Sequence, residues 1–108
     1  MPYVFTTSYF PANKASELAK KYVETIKEYR AKTKGLHKEL VPNAVKSRKD
    51  FIETTGVHDV TENKLQEFLL AEQNYMSKFH NIEGFSYTIE VRFKITEALE
   101  MIGLKMPE

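Results

Sequence analysis

The sequence predicts an α+β fold in which a four-stranded antiparallel sheet carries two long helices on one of its faces. Three observations support this prediction: two segments repeat apolar residues with a helical period, and one segment near the C-terminal end alternates apolar and polar residues as a strand does. A chain of 108 residues has the size of one domain. We therefore expect residues 1–108 to form a single domain around one core.

The N-terminal elements are a strand and a long helix. Residues 3–10, YVFTTSYF, are rich in aromatic and β-branched side chains and end at Pro11, which is typical of a strand. From Ala15 onward apolar residues recur at steps of three and four, and charged residues fill most of the remaining positions. This pattern predicts a helix over 13–33 that stops before Gly35.

The middle of the chain is expected to form two strands and the second helix. Pro42 cannot donate to a β-ladder, so the strand within 36–48 should be irregular and lie at an edge of the sheet. Residues 51–60, FIETTGVHDV, have the composition of a further strand. Thr61 is in position to cap a helix over 62–80.

The clearest strand pattern is in residues 84–95, GFSYTIEVRFKI. Its apolar face carries Phe85, Tyr87, Ile89, Val91, Phe93 and Ile95, and its polar face carries Ser86, Thr88, Glu90, Arg92 and Lys94. We expect the apolar face to pack beneath the helices. A short C-terminal helix over 96–102 should follow.

The resulting β-α-β-β-α-β order is that of the ferredoxin-like fold. The segments KELVPNAVKS, GFSYTIEV and TEALEMIG look like those of small uncharacterised prokaryotic members of the dimeric α+β barrel superfamily, in which two such sheets pack face to face. The resemblance implies a homodimer formed through the open sheet face. The superfamily includes cofactor-free monooxygenases, haem enzymes, dehydratases and ligand-sensing domains. None of their active-site motifs occurs in this sequence, so the resemblance assigns no catalytic residue.

The first strand favours a dimer independently, because it carries bulky side chains on both faces. Tyr3, Phe5 and Tyr9 lie on one face, and Val4 and Phe10 lie on the other. Only one face can meet the helices, and exposed aromatic residues that lie together usually mark an interface. The alternative is that the tyrosine hydroxyls and the threonines allow this face to be exposed to water in a monomer.

The composition excludes several classes of function. Sixteen basic and fifteen acidic residues leave a net charge of +1, so no overall field attracts nucleic acid or an anionic membrane. The absence of cysteine excludes disulfides, thiolate catalysis and cysteine zinc sites. No apolar run reaches the roughly 18 residues of a membrane span, and the N-terminal segment does not have the pattern of a signal peptide. We expect a cytoplasmic location.

Five residues are candidates for a ligand site. His58 and Asp59, followed by Glu62, lie near the end of a predicted strand and form a candidate acid–base or metal-binding group. The stronger alternative is that the two carboxylates lie where a helix start attracts them and that His58 is a satisfied polar residue. Glu90 and Arg92 share the polar face of the last strand, where they would line a wet cavity and bind an anionic or polar ligand. The alternatives for this pair are a solvated face and an intersubunit salt bridge. Tyr87 is either a hydrogen-bonding group of that cavity or a packing residue.

No metal site and no cofactor are expected, because no two of the three histidines have the spacing of a helical metal pair. Our leading hypothesis is a dimeric small-molecule-binding or structural module without a catalytic motif. The second hypothesis is a cofactor-independent enzyme that acts on a small organic substrate in a pocket between sheet and helices, with His58, Asp59 or Glu90 as acid–base groups. A third is a protein whose sheet face binds a different chain.

Overall fold

The computed structural model describes residues 1–107, and within them the chain forms four strands and three α-helices. In chain order the elements are β1 (Tyr3–Pro11), α1 (Ala15–Lys32), β2 (His37–Ser47), β3 (Phe51–Val60), α2 (Leu65–Ser77), β4 (Ser86–Arg92) and α3 (Ile95–Met101). A single 3-10 turn, Ala12–Lys14, joins β1 to α1. This α+β arrangement fits the ferredoxin-like class.

The four strands form one antiparallel sheet in the order β2-β3-β1-β4. Pro42 lies in the edge strand β2, where the pairing with β3 shifts register between Glu39 and Val41 and again between Val41 and Ala44. A proline has no N–H for the ladder, so the irregular strand is at the edge, as the sequence predicts.

Both long helices cover the same face of the sheet. Tyr29 of α1 and Tyr75 of α2 are in ring contact, with centroids 4.4 Å apart. They belong to one apolar cluster whose buried members are Tyr29, Tyr75, Met76, Phe79 and Ile82. A second cluster consists of Val4, Leu36, Val60 and Phe68. The core is therefore divided into two apolar parts.

Helix α2 begins later than the sequence pattern suggests. Its N-cap is Lys64, with no capping side-chain hydrogen bond, so the expected cap at Thr61 is wrong. The reason is local: Asn63 has a φ of 64°, in the left-handed region that a right-handed helix cannot include. No helix within residues 1–107 has both the length and the apolar character needed to cross a membrane.

The last strand is shorter than the predicted 84–95, because the chain turns into α3 at Ile95. Phe85, Tyr87 and Ile89 pack against the two apolar clusters, as expected for the face beneath the helices. Val91 and Phe93 do not: they are 41% and 56% exposed and belong to neither cluster. The helix-covered part of this face therefore ends at Ile89.

Candidate functional site

A cavity of about 340 Å³ lies between the helices and the inner face of the sheet. Its floor is made of small side chains, because Thr6 pairs with Gly56 and Ser8 pairs with Thr54 across β1 and β3. Large apolar residues at these inward positions would fill a core, whereas these four leave space beneath α1. The sequence of the two central strands thus creates the cavity.

The walls of the cavity are mostly apolar. They include Leu18, Tyr22, Ile26, Tyr75, Phe79 and Phe85. On the side of β2 the lining residues Pro42, Asn43 and Val45 are exposed, so the cavity opens to solvent where that strand is irregular. The register shifts around Pro42 therefore coincide with the mouth of the cavity.

The inner end of the cavity is polar and centres on Glu72 of α2, whose side chain is almost completely buried. The hydroxyl of Thr6 donates to Glu72 Oε2 over 2.5 Å, and the hydroxyl of Tyr29 donates to Oε1 over 2.6 Å. His58 Nε2 lies 3.3 Å from Oε2. Burying a carboxylate is costly unless it is paired and hydrogen-bonded, and these three donors meet that requirement.

The same contacts determine the protonation states of the two central residues. Burial acts to raise the pKa of Glu72, but the neighbouring His58 and the hydrogen bonds from Thr6 and Tyr29 hold this pKa below its ordinary value. Burial and the negative charge of Glu72 raise the pKa of Tyr29. Glu72 is therefore a carboxylate, and Tyr29 keeps the proton that it donates.

The polar network continues from His58 toward the edge of the sheet. His58 Nδ1 lies 2.9 Å from His37 Nδ1, and His37 Nε2 lies 3.1 Å from the hydroxyl of Thr33. Burial is the largest influence on His37 and lowers its pKa, so the imidazole is held neutral. Glu39 also lines the cavity, with Oε2 3.6 Å from Arg30 Nη2.

The five candidates from the sequence are not brought together. His58 alone lines the cavity, whereas Asp59 pairs with Lys94 over 2.8 Å on the strand face away from the helices. Glu90 and Arg92 form an exposed ion pair of 3.4 Å on that same open face. The hydroxyl of Tyr87 accepts a hydrogen bond from Gln73.

Sequence reasoning missed Glu72, Tyr29, His37 and Glu39. Glu72 did carry a signal, because it lies four residues after Phe68 and four before Met76, on the apolar stripe of α2. A carboxylate at such a position is buried and needs partners. The spacing rule for helical metal pairs could not find His37 and His58, because they meet across two neighbouring strands.

No protein-family model and no curated protein matches the sequence. A solved structure with a similar fold is "a putative aminohydrolase from methicillin resistant Staphylococcus aureus", with a TM-score of 0.54 and 11% sequence identity. The similarity covers 96% of this chain and 35% of that chain, so this chain spans about a third of that protein's length. At this identity the likeness shows the fold alone.

Proposed function

We propose that the protein binds a small organic molecule in the cavity between the helices and the sheet. The observation that carries the proposal is a cavity of about 340 Å³ with apolar walls, one polar end and an opening to solvent. Ligand sites usually have this construction, with volumes of roughly 300–1,000 Å³ and a few converging polar groups. The volume is at the lower end of that range and favours a small ligand.

The lining residues favour a particular ligand chemistry. Tyr22, Phe79 and Phe85 offer aromatic surface to an apolar body. At the polar end Glu72 is an acceptor with lone pairs beyond those used by its three partners, since a carboxylate has about four acceptor positions. A compact aromatic or aliphatic molecule that carries an amine or hydroxyl donor fits this arrangement best.

A second candidate is a cofactor-independent enzyme acting on a small organic substrate in the same cavity. The favouring observation is the buried contact between Glu72 and His58, because a carboxylate beside an imidazole can move a proton to or from a bound molecule. The structurally similar protein is described as a putative aminohydrolase, and this description is of that protein and assigns no reaction to this chain. Turnover of a bound compound by the wild-type protein, lost in His58→Gln while binding persists, would favour the enzyme over the binding module.

We also propose that the functional unit is a homodimer formed through the open face of the sheet, as in the dimeric α+β barrels. Phe5 and Val57 are only partly buried there, and Tyr9 is exposed. Arg92 lies over the ring of Phe5, 4.2 Å from its centroid, so this face combines aromatic surface with charge. A second copy would cover these aromatic side chains.

Ligand screening by thermal unfolding tests the binding proposal. The panel consists of small phenols, aromatic amines and aliphatic amines, and a compound at about 100 times its Kd stabilises the folded protein by roughly 2.7 kcal/mol. Ala19→Phe adds a large side chain at an exposed position of α1 that lines the cavity, and Ala31→Phe makes the same change at an exposed position of α1 outside the cavity. We expect Ala19→Phe to lose the ligand-induced rise in Tm and Ala31→Phe to keep it. Equal rises in both variants would contradict the proposal.

A further inference from the structure

Three side chains with metal-binding atoms meet on the helix-facing side of β2 and β3. His37 and Glu39 are two residues apart on β2 and so share a face, and Glu39 pairs directly with His58 of β3. One ligand atom of each residue lies within 4.8 Å of those of the other two. The strand pairing itself therefore gathers two imidazoles and one carboxylate.

The Nε2 atoms of His37 and His58 each face a hydrogen-bond acceptor. Thr33 donates its own hydroxyl proton to the carbonyl oxygen of Tyr29 over 2.9 Å, so its oxygen accepts a proton from His37 Nε2. Glu72 Oε2 lies 3.3 Å from His58 Nε2 and accepts the proton of that nitrogen. Both imidazoles thus carry their proton on Nε2 when they are neutral.

This arrangement directs two lone pairs at each other. With both protons on Nε2, the Nδ1 atoms of His37 and His58 face each other unprotonated at 2.9 Å. Two acceptors at this distance repel unless a cation lies between them. Two nitrogen ligands of one tetrahedral Zn²⁺ are roughly 3.3 Å apart, for Zn–N bonds of about 2.0–2.1 Å. To admit the ion, the nitrogens must separate by a few tenths of an ångström and the rings must turn so that both lone pairs point at the metal.

We propose that His37, Glu39 and His58 bind a divalent transition-metal ion, with zinc as the reference metal. The donors are the two Nδ1 atoms and a carboxylate oxygen of Glu39, which must leave its long contact with Arg30. Two imidazoles and a carboxylate suit zinc, cobalt or nickel, whereas calcium and magnesium prefer oxygen ligands alone. Thr33 and Glu72 orient the rings through their Nε2 protons, as partners of metal-binding histidines commonly do.

The proposed ion has both an entry path and an open coordination position. Glu39 and His37 are partly exposed, so an ion reaches them from the β2 side. Three protein ligands leave a fourth tetrahedral position free. Glu39 and His58 also line the cavity, so the ion would lie at its wall. The metal proposal rests on the imidazole geometry and stands independently of the organic ligand.

Titration of the chelator-treated 108-residue chain with zinc chloride, measured by calorimetry, tests the site, and titration with Co²⁺ tests it through the visible absorption bands of that ion. We expect one equivalent of metal per chain, and a loss of affinity of at least about 100-fold in His37→Gln. Thr33→Val, which removes the orienting acceptor together with its hydrogen bond to the Tyr29 carbonyl, should lose about 10- to 100-fold. His80→Gln is the matched control, because His80 is exposed in the turn after α2 and is not among the three proposed ligands.

Two further measurements keep the test decisive. If His37→Gln fails to fold, Glu39→Gln removes one ligand without changing the imidazole pair and should still weaken binding. Ala19→Phe should keep metal affinity even if it blocks the organic ligand, so the two proposals fail separately. Equal zinc affinity of wild type, His37→Gln and Glu39→Gln would overturn the metal site. So would nitrogen NMR of the zinc-treated protein showing a proton shared between the Nδ1 atoms of His37 and His58.

Discussion

The hydroxyl of Tyr29 on α1 donates a hydrogen bond of 2.6 Å to Glu72 Oε1 on α2, at the inner end of the cavity. The other oxygen of the same carboxylate accepts from Thr6 on β1. One buried side chain of α2 therefore connects that helix to α1 and to the central strand β1. Because Glu72 is also the polar group of the proposed ligand site, stability and binding depend on the same residue.

Replacing Glu72 with Gln should destabilise the protein although the side chain keeps its shape. An amide offers one acceptor oxygen in place of two, so either Thr6 or Tyr29 loses its acceptor. Leaving a buried polar group unsatisfied costs about 1–3 kcal/mol. Urea unfolding should show this loss, whereas the exposed Glu67→Gln on the same helix should change stability by less than about 0.5 kcal/mol. Equal stability of the two variants would show that the network adds nothing.

Alkaline pH should weaken the fold through Tyr75. Burial raises the pKa of Tyr75, so the unfolded chain loses this proton first, at its ordinary pKa of about 10. The contribution of Tyr75 to stability is complete below that pH and is lost as pH rises above it. Circular dichroism with tyrosinate absorbance from pH 8 to 12 should show a shallower alkaline loss of stability in Tyr75→Phe than in wild type.

Identical alkaline profiles for Tyr75→Phe and the parent would contradict the assigned role of Tyr75.

Two positions on β4 should respond differently to a charge. Ile89 packs against the cluster of Val4 and Phe68, so Ile89→Asp places a carboxylate in the core and should cost more than about 3 kcal/mol. Val91 lies on the same strand face but is 41% exposed, so Val91→Asp should cost about 1 kcal/mol or less. Chemical denaturation of both variants measures the difference. If Val91→Asp destabilised the protein more than Ile89→Asp, our assignment of the edge of the core at Ile89 would be wrong.

The proposed homodimer predicts the mass of the protein in solution. Light scattering of the wild-type protein should give about twice the chain mass of 12.6 kDa. Phe5→Glu should shift the mass toward the monomer, because it removes aromatic contact surface and buries a carboxylate beside Glu90 and Arg92, which is costly to desolvate. Val23→Glu changes an exposed residue of α1 in the same way and should leave the mass unchanged. A wild-type protein that scatters as a monomer at high concentration would contradict the proposed dimer.

The sequence predicts the elements of this fold well because each element has a local signature. The helical repeat before Gly35, the alternation up to Ile89 and the proline of the edge strand all correspond to features of the structure. The alternation misleads at Val91 and Phe93, because a period of two identifies a face but not how far the helices cover it.

The candidate site is less predictable because it depends on pairing between elements. His58 meets His37 only through the register of β2 with β3, and it meets Glu72 only through the packing of α2. No spacing along the chain encodes these contacts. Asp59 follows His58 in sequence, yet consecutive strand residues point to opposite faces, and Asp59 pairs with Lys94 instead.

A crystal structure of the protein with the screening compound that raises its Tm most tests the binding proposal most directly. We predict electron density for the compound inside the cavity, with its apolar body against Tyr22 and Phe85 and a donor group within hydrogen-bond distance of Glu72. Density on the open sheet face, with the cavity closed or filled by protein side chains, would contradict the proposal.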